Sequence, residues 1–326
     1  MKQTKAEQFA AFLLSQGLVY APQKTDGSCS VKKIIELKQI DWSGDMPDNS
    51  FKSVLLPPKE ILQEVKAGQI KVKFAAPKVF CFLMNVLDLQ AATLLEHIFE
   101  KDIYFQARRQ NLFLIGFSTG VPGDVKKYDA FHSNYEENIL EHILFDVFIE
   151  KTDRDYKFFS GSEKGQQLLA GAGINNYQNV EFAGLVPESG LNPRLLENKK
   201  NVELSENSKL WDELAQICLA CGKCSIVCPT CYCHDLRDEV NDDGVSRVRE
   251  WTSCFYSEFS KTAGNKIDLD TLRKKLFYWY FHKFVRIPDK LSYYGCVSCM
   301  RCVKACPVGI NISANLQRLQ KENNGK

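Results

Sequence analysis

The sequence contains no uninterrupted apolar run long enough to cross a bilayer, so a helical membrane span is not expected. Behind Met1-Lys2-Gln3-Thr4-Lys5-Ala6-Glu7 there is neither a long apolar core nor a small-residue cleavage site. A secretory leader is therefore not expected, and the chain reads as cytoplasmic with no membrane insertion. No GxGxxG opens a helix after a strand, no P-loop is present, and no Ser/His/Asp set or glutamate pair marks substrate chemistry. Gly171-Ala172-Gly173 lacks the third glycine of a dinucleotide loop and reads as an ordinary loop. A strong charge of one sign is missing as well: the net value is +2 over 326 residues, which gives no reason to expect nucleic acid as a partner. There is no short-period repeat. Hydrophobic content (44%) and charge (25%) are those of an ordinary globular protein, and the length suggests two domains.

Cysteine is abundant. Eleven of the 13 cysteines lie between positions 218 and 306. Thiols of an unexported chain stay reduced, so a disulfide framework is not expected, and the clustering favours metal ligation. Two runs repeat one spacing: Cys218-x-x-Cys221-x-x-Cys224-x-x-x-Cys228-Pro229 and Cys296-x-x-Cys299-x-x-Cys302-x-x-x-Cys306-Pro307. This spacing wraps a tight loop around an iron–sulfur cube, and two complete copies predict two [4Fe–4S] clusters. Three thiolates of one run reach three irons of the same cube, whereas the fourth lies too far along to close that corner. In two-cluster ferredoxins the fourth cysteine ligates the other cube. The expected ligand sets are therefore crossed: Cys218, Cys221, Cys224 and Cys306 for one cluster, and Cys296, Cys299, Cys302 and Cys228 for the other. Such clusters move single electrons, so electron transfer is the expected function. Cys231, Cys233 and Cys254, with His234 nearby, complete no four-ligand spacing and read as buried thiols beside the clusters. Cys29 and Cys81 are isolated and read as core residues.

The expected fold class is α+β, with an N-terminal mixed α/β domain followed by an α-helical ferredoxin domain. Thr4-Lys5-Ala6-Glu7 is a capping box opening a helix that stops at Gly17. Leu18–Ala21 and Val31–Leu37 read as short strands. Pro57-Pro58 reads as the start of a helix through Ile61, Leu62 and Val65 to Gly68. Val79–Val86 suits a buried strand, after which Asp88 is expected to cap a helix. Further strands are expected at Leu112–Phe117 and Phe145–Glu150, the latter returning as a hairpin through Asp153-Arg154-Asp155. The domain expectation is 1–190 for the scaffold, 191–208 for a linker and 209–326 for the clusters. Leu210, Leu214, Ile217 and Cys221 follow a helical period, so the first motif is expected at a helix end.

Sixty-seven residues separate Cys228 from Cys296, far more than a minimal ferredoxin needs. They hold Leu272–Val285, whose aromatic run Phe277, Tyr278, Trp279, Tyr280, Phe281 and Phe284 is apolar on every side of a helix. It reads equally as a wall that excludes water from a cluster and forms a subunit contact, and as an ordinary core helix. Arg273, Lys274, Lys275, Lys283, Arg286 and Lys290 flank it and read as a solvated face rather than a docking patch.

Four stretches then carry a family resemblance: Cys228-Pro229-Thr230-Cys231-Tyr232-Cys233, Arg247-Val248-Arg249-Glu250-Trp251-Thr252-Ser253-Cys254, His282-Lys283-Phe284 and Gly295-Cys296-Val297-Ser298-Cys299-Met300-Arg301-Cys302. With weaker upstream matches at Leu55-Leu56-Pro57-Pro58-Lys59-Glu60 and Tyr104-Phe105-Gln106-Ala107-Arg108-Arg109, they resemble the family that contains the A subunit of anaerobic sulfite reductase and the beta subunit of cytoplasmic NiFe hydrogenases of the sulfhydrogenase type. The resemblance implies a dicluster domain set between a flavoprotein subunit (FAD, NAD(P)H-oxidising) and a catalytic oxidoreductase subunit, in a setting of anaerobic metabolism. The chain departs from that pattern where the family carries Arg-x-Cys-Asp and this sequence reads Asn85-Val86-Leu87-Asp88, and it lacks a later Cys-x-Cys segment. The alternatives are a stand-alone ferredoxin-like carrier, which would need neither the large N-terminal domain nor the long insert, an N-terminal domain with its own flavin or substrate site, and clusters that only staple the fold or sense redox state.

Overall fold

The computed structural model describes residues 4–66, 69–72, 77–119, 139–153, 155–186, 193–242 and 244–325. The chain forms two compact units: Met1–Leu56 with Phe74–Gly190, and Pro57–Lys73 with Leu191–Lys326. The expectation of one domain over 1–190 misses the excursion of 57–73, because pairing with strands far along the chain leaves no local signature.

In the first unit the capping box forms as expected. Thr4 Oγ1 accepts from Glu7 N, and the Glu7 carboxylate accepts from Thr4 N at 2.7 Å, opening the helix Lys5–Gln16. β1 (Leu18–Thr25) and β2 (Ser28–Ile34) follow as an antiparallel hairpin. After β3 (Lys59–Lys66) and β4 (Gln69–Val72), which belong to the second unit, come β5 (Val79–Met84), β6 (Leu112–Ser118), β7 (Val147–Lys151), β8 (Tyr156–Ser160) and β9 (Gln178–Asn179). The sheet order is β2-β1-β5-β6-β7-β8-β9, with β1, β5, β6 and β7 parallel. These four strands follow one another in a single direction. Among these four parallel strands the order does not reverse, and such a reversal between parallel strands is the place where open α/β sheets seat a nucleotide.

The helix Val86–Ile98 leads from β5 towards β6, and all of its first ten residues are buried. Asn85, rather than Asp88, is its cap: Asn85 Oδ1 accepts from Asp88 N at 2.9 Å. Asp88 stands inside the first turn, where Asn85 Nδ2 donates to its carboxylate at 2.9 Å. The core gathers Phe9 and Leu13 from the first helix, Phe82, Ile115, Val147 and Ile149 from the sheet, and Leu169 from the helix Glu163–Gly171.

The second unit is not purely helical. Its four-stranded antiparallel sheet runs β10 (His234–Asn241), β11 (Gly244–Trp251), β3, β4. The segment after Pro57-Pro58, expected as a helix, is the strand β3, and this sheet corrects the expectation of an α-helical ferredoxin. Ile61 and Val65, four residues apart, share one face in a helix and in a strand alike, and hydrogen bonds to β11 on one side and β4 on the other decide between the two. Within the expected linker, Pro193–Glu203 is a helix of this unit; residues 187–192 lie outside the described residues. Around the helix Leu272–Phe281 a core forms from Trp211, Leu214, Leu276, Trp279, Tyr280, Ile312 and Leu319, and Cys218, Cys224, Cys296 and Cys302 pack against it.

Candidate metal centre

The helix Leu210–Ile217 ends at Cys218, whose N–H donates to Leu214 O at 2.9 Å; the helical period read through Cys221 stops there. Both cysteine loops then use the same backbone device. Two residues after the first cysteine and again four residues after it, φ is positive: Ala220 (51°) and Gly222 (71°) in the first loop, Ser298 (55°) and Met300 (59°) in the second. Each loop then enters a single helical turn, Lys223–Ile226 or Arg301–Ala305. Left-handed residues curl the chain so that successive side chains and N–H groups face one concavity. Gly222 is the only glycine among the four, and a Cβ there would stand 2.6 Å from the Tyr256 ring.

Cys218, Cys221, Cys224 and Cys306 line one cavity, with Cys302 beside them and Phe255, Trp279 and Tyr280 as its wall. The aromatic helix contributes Leu276, Trp279 and Tyr280 both to the core and to the lining of this cavity. Cys306 Sγ accepts from Ile310 N at 3.3 Å. Burial pushes the Cys224 thiol up to about 12; a hydrogen bond from Ser225 works against this, and the neighbouring Cys228 and Cys218 add to it. Burial also raises Cys218, with Cys221 and Cys306 among its charged neighbours.

Cys228, Cys296 and Cys299 lie near Cys302. Burial raises the Cys302 thiol, followed by the influence of Cys228 and Cys296, with a smaller one from Cys299. Cys228 is buried, and its Sγ accepts from Lys283 Nζ at 3.2 Å. Lys283 was expected on a solvated face; it is 2% exposed. Burial works against its charge, but Cys228, Cys231 and Cys296 outweigh that and hold the ammonium well above its usual range. Arg286 and Lys290 are exposed, and three others of the basic run are tied up locally. Arg273 pairs with Asp212 at 3.1 Å, Lys274 with Asp270 at 2.8 Å, and Lys275 donates to Phe255 O at 3.0 Å.

The sheet positions this centre. β10 starts directly after Cys233, and β11 returns to Thr252, whose N–H donates to Cys233 O at 3.0 Å. Ser253 then reaches Ser225 at 3.2 Å, next to Cys224, and Cys254 is buried beside them. Burial pushes the Cys254 thiol up to about 12, with Cys233 and Cys224 adding to it. Among the described residues no three His, Cys, Asp or Glu side chains converge on a single-ion position, around His234 and Cys231 or elsewhere. A cube asks for something different: four thiolates spread around a cavity, one per iron corner. The cavity holding Cys218, Cys221, Cys224 and Cys306 fits that demand. It also has an apolar wall and a buried indole N–H, Trp279 Nε1, without a protein acceptor. Sequence reasoning puts Lys283 on the surface; the His282-Lys283-Phe284 stretch is the signal that could have drawn it inward.

The loops, their shared backbone form and their thiol-lined cavity are those of an iron–sulfur protein. In agreement, the family model described as a 4Fe-4S dicluster domain matches residues 217–310, a span that includes all eight motif cysteines. Over 314 residues the chain is 23% identical to sulfhydrogenase 2 subunit beta of Pyrococcus furiosus, covering 90% of each chain. Both findings support the family resemblance read from the cysteine segments. No solved structure matches the chain. Among the described residues, no helix is long and apolar enough to cross a membrane.

Proposed function

We propose that this chain is the electron-transfer subunit of a multisubunit oxidoreductase, relaying single electrons between an NAD(P)H-oxidising flavoprotein subunit and a catalytic subunit of the sulfite reductase or hydrogenase kind. Two [4Fe–4S] clusters supply one-electron couples when bound. Cys218, Cys221, Cys224 and Cys306 hold one; Cys296, Cys299, Cys302 and Cys228 hold the other. The observation that carries this reading is the meeting of Cys306 with the first three cysteines in one cavity, across more than 80 residues of chain. The relative named as a sulfhydrogenase subunit supports the part played in a larger assembly. Exposed Cys221, with Ile217 (47% exposed) and Leu219 (63% exposed) around it, is the face on which a partner reaches the first cluster. Trp279, Tyr280 and Phe255 keep water from the other side of that cavity.

Cys224→Ser and Cys302→Ser test the ligand sets. In anaerobically prepared protein each change removes a different one of two low-temperature EPR signals, and a flavoprotein with NAD(P)H reduces both in the parent. If both changes erase the same signal, the crossed assignment is wrong. Iron and sulfide well short of two cubes in the reconstituted parent would end the cluster reading altogether.

A further inference from the structure

We infer that Lys283 is a positioning residue that sets the two clusters at different reduction potentials, by placing a fixed positive charge and an N–H donor against the thiolate of Cys228. This inference rests on the ligand sets proposed above and adds to them a cause for redox order between the clusters.

The ammonium has three protons, and three acceptors surround it: Cys228 Sγ at 3.2 Å, Thr230 Oγ1 at 3.2 Å and Gly295 O at 3.0 Å. Thr230 donates in turn to Gly295 O at 2.7 Å. A buried lysine whose three donors are all engaged has no freedom to swing into solvent. Its charge is therefore a permanent part of the second site. The ring of Trp279 lies under it, 5.4 Å from Nζ to the ring centroid.

The backbone is shaped to place this residue. The helix Leu272–Phe281 does not continue as a regular α-helix; it opens into a π-helical turn over His282–Arg286 before Ile287–Leu291. Pro288 explains the turn, since it has no N–H to give to the carbonyl four residues back and its ring crowds that carbonyl. Single π turns recur at functional positions. Here Lys283 O accepts from Gly295 N at 3.1 Å while Gly295 O accepts from Lys283 Nζ. The residue before Cys296 is thus clamped to Lys283 from both sides. Only glycine fits the clamp: a Cβ on Gly295 would stand 2.8 Å from Lys283 Cα and 2.9 Å from its carbonyl oxygen.

The two sites differ in this respect. Lys223, the cation in the lining of the first cavity, is exposed, and solvent screens its charge. Lys283 is buried against a ligand of the second set, where a charge acts at low dielectric. Positive charge and hydrogen bonds to cluster sulfurs favour the reduced, more negative state and raise the potential. The second site is therefore the higher of the two, and an electron held by the pair rests there.

The test is an anaerobic redox titration followed by EPR on the full chain, comparing the parent with Lys283→Met and Lys283→Arg. With iron and sulfide unchanged, Lys283→Met should lower by at least tenfold the reduced-to-oxidised ratio of one signal at a fixed potential. For a one-electron couple this is a downward shift of about 59 mV or more. The signal that moves should be the one lost in Cys302→Ser, and Lys283→Arg should restore most of the shift. Two full clusters whose potentials stay put, or move together, overturn the inference, as does movement only of the signal lost in Cys224→Ser. Should Lys283→Met fail to retain its clusters, unmutated protein grown on 15N-lysine decides. A 15N coupling in the pulsed EPR spectrum of the second signal sustains the inference, and its absence overturns it. Iron short of two cubes in the parent is a separate result and would count against the function proposed above.

Discussion

The imidazole of His282 stacks on Tyr278 with 5.7 Å between ring centroids, and its Nε2 lies 3.2 Å from Tyr232 Oη. Burial lowers its pKa from 6.5 to about 4, and Lys283, Arg286 and Lys290 push in the same direction. The folded state keeps this ring neutral, while the unfolded chain protonates it near 6.5. The contribution to stability is therefore whole above pH 6.5 and is lost as pH falls toward 4, by at most roughly 3 kcal/mol. His282→Gln should flatten this acid limb relative to the parent in denaturant titrations run from pH 7 to 4. An unchanged difference between parent and variant across that range would show that the ring plays no such part. At this scale the sequence was unevenly legible. The eight motif cysteines stand out by spacing, and Gly222 marks its left-handed position by being glycine. Ala220, Ser298 and Met300 adopt the same conformation without any residue type that announces it. Lys283 sat in a basic run that, from sequence, reads as surface; a three-acceptor pocket formed from residues 228, 230 and 295 is what draws it inward.

The sheet of the second unit joins two stretches that carried the family resemblance separately. Glu60 of β3 and Arg249 of β11 are register partners, and Trp251 N donates to Pro58 O at 2.9 Å just beyond them. Arg249 is 2% exposed, and its Nε and Nη2 both donate to Glu60 Oε2, at 3.1 and 2.6 Å. Removing one member of a buried ion pair leaves the other charge without its partner and costs about 3–5 kcal/mol, whereas replacing both is far milder. Arg249→Met should thus destabilise the second unit by about that much, and Arg249→Met with Glu60→Met should recover most of the loss. Equal stabilities for the single and double variants in guanidinium titrations would show that the pair does not stitch β3 to β11. The pairing also explains why β3 was misread. An eight-residue strand with Ile61, Leu62 and Val65 after two prolines satisfies a helix start locally, and the partner that overrules it lies 189 positions away. Val79–Met84 of the first unit is readable because it is uniformly apolar and bounded by a helix cap at Asn85.

On the ligand sets proposed above, the two units differ in their dependence on metal. The first has a core of its own, with Phe9, Leu13, Phe82, Ile115, Val147 and Leu169 joined across a seven-stranded sheet. The second gathers Cys218, Cys224, Cys296 and Cys302 onto its core, and burial raises every one of these thiols above its ordinary pKa. With the proposed ligand sets, four ligands drawn from both ends of a long segment would tie that segment into a loop, and because the ligands must lose protons to bind, loading would be coupled both to pH and to folding. With the iron gone, the buried thiols keep their protons, the tie is lost, and the two left-handed loops no longer have a ligand to offset their backbone strain. Chelation of iron under reducing, anaerobic conditions should therefore unfold one unit and spare the other within the intact chain. In hydrogen-exchange mass spectrometry the expected outcome is loss of protection in β10, β11 and the helix Leu272–Phe281. The hairpin of β3 and β4 should open with them although it lies among first-unit residues in sequence. The central strands β5, β6 and β7 should keep their protection. Exchange that rises evenly over both units would mean that they fold as one cooperative body, and exchange unchanged by chelation would mean that the clusters are guests of a fold that stands without them.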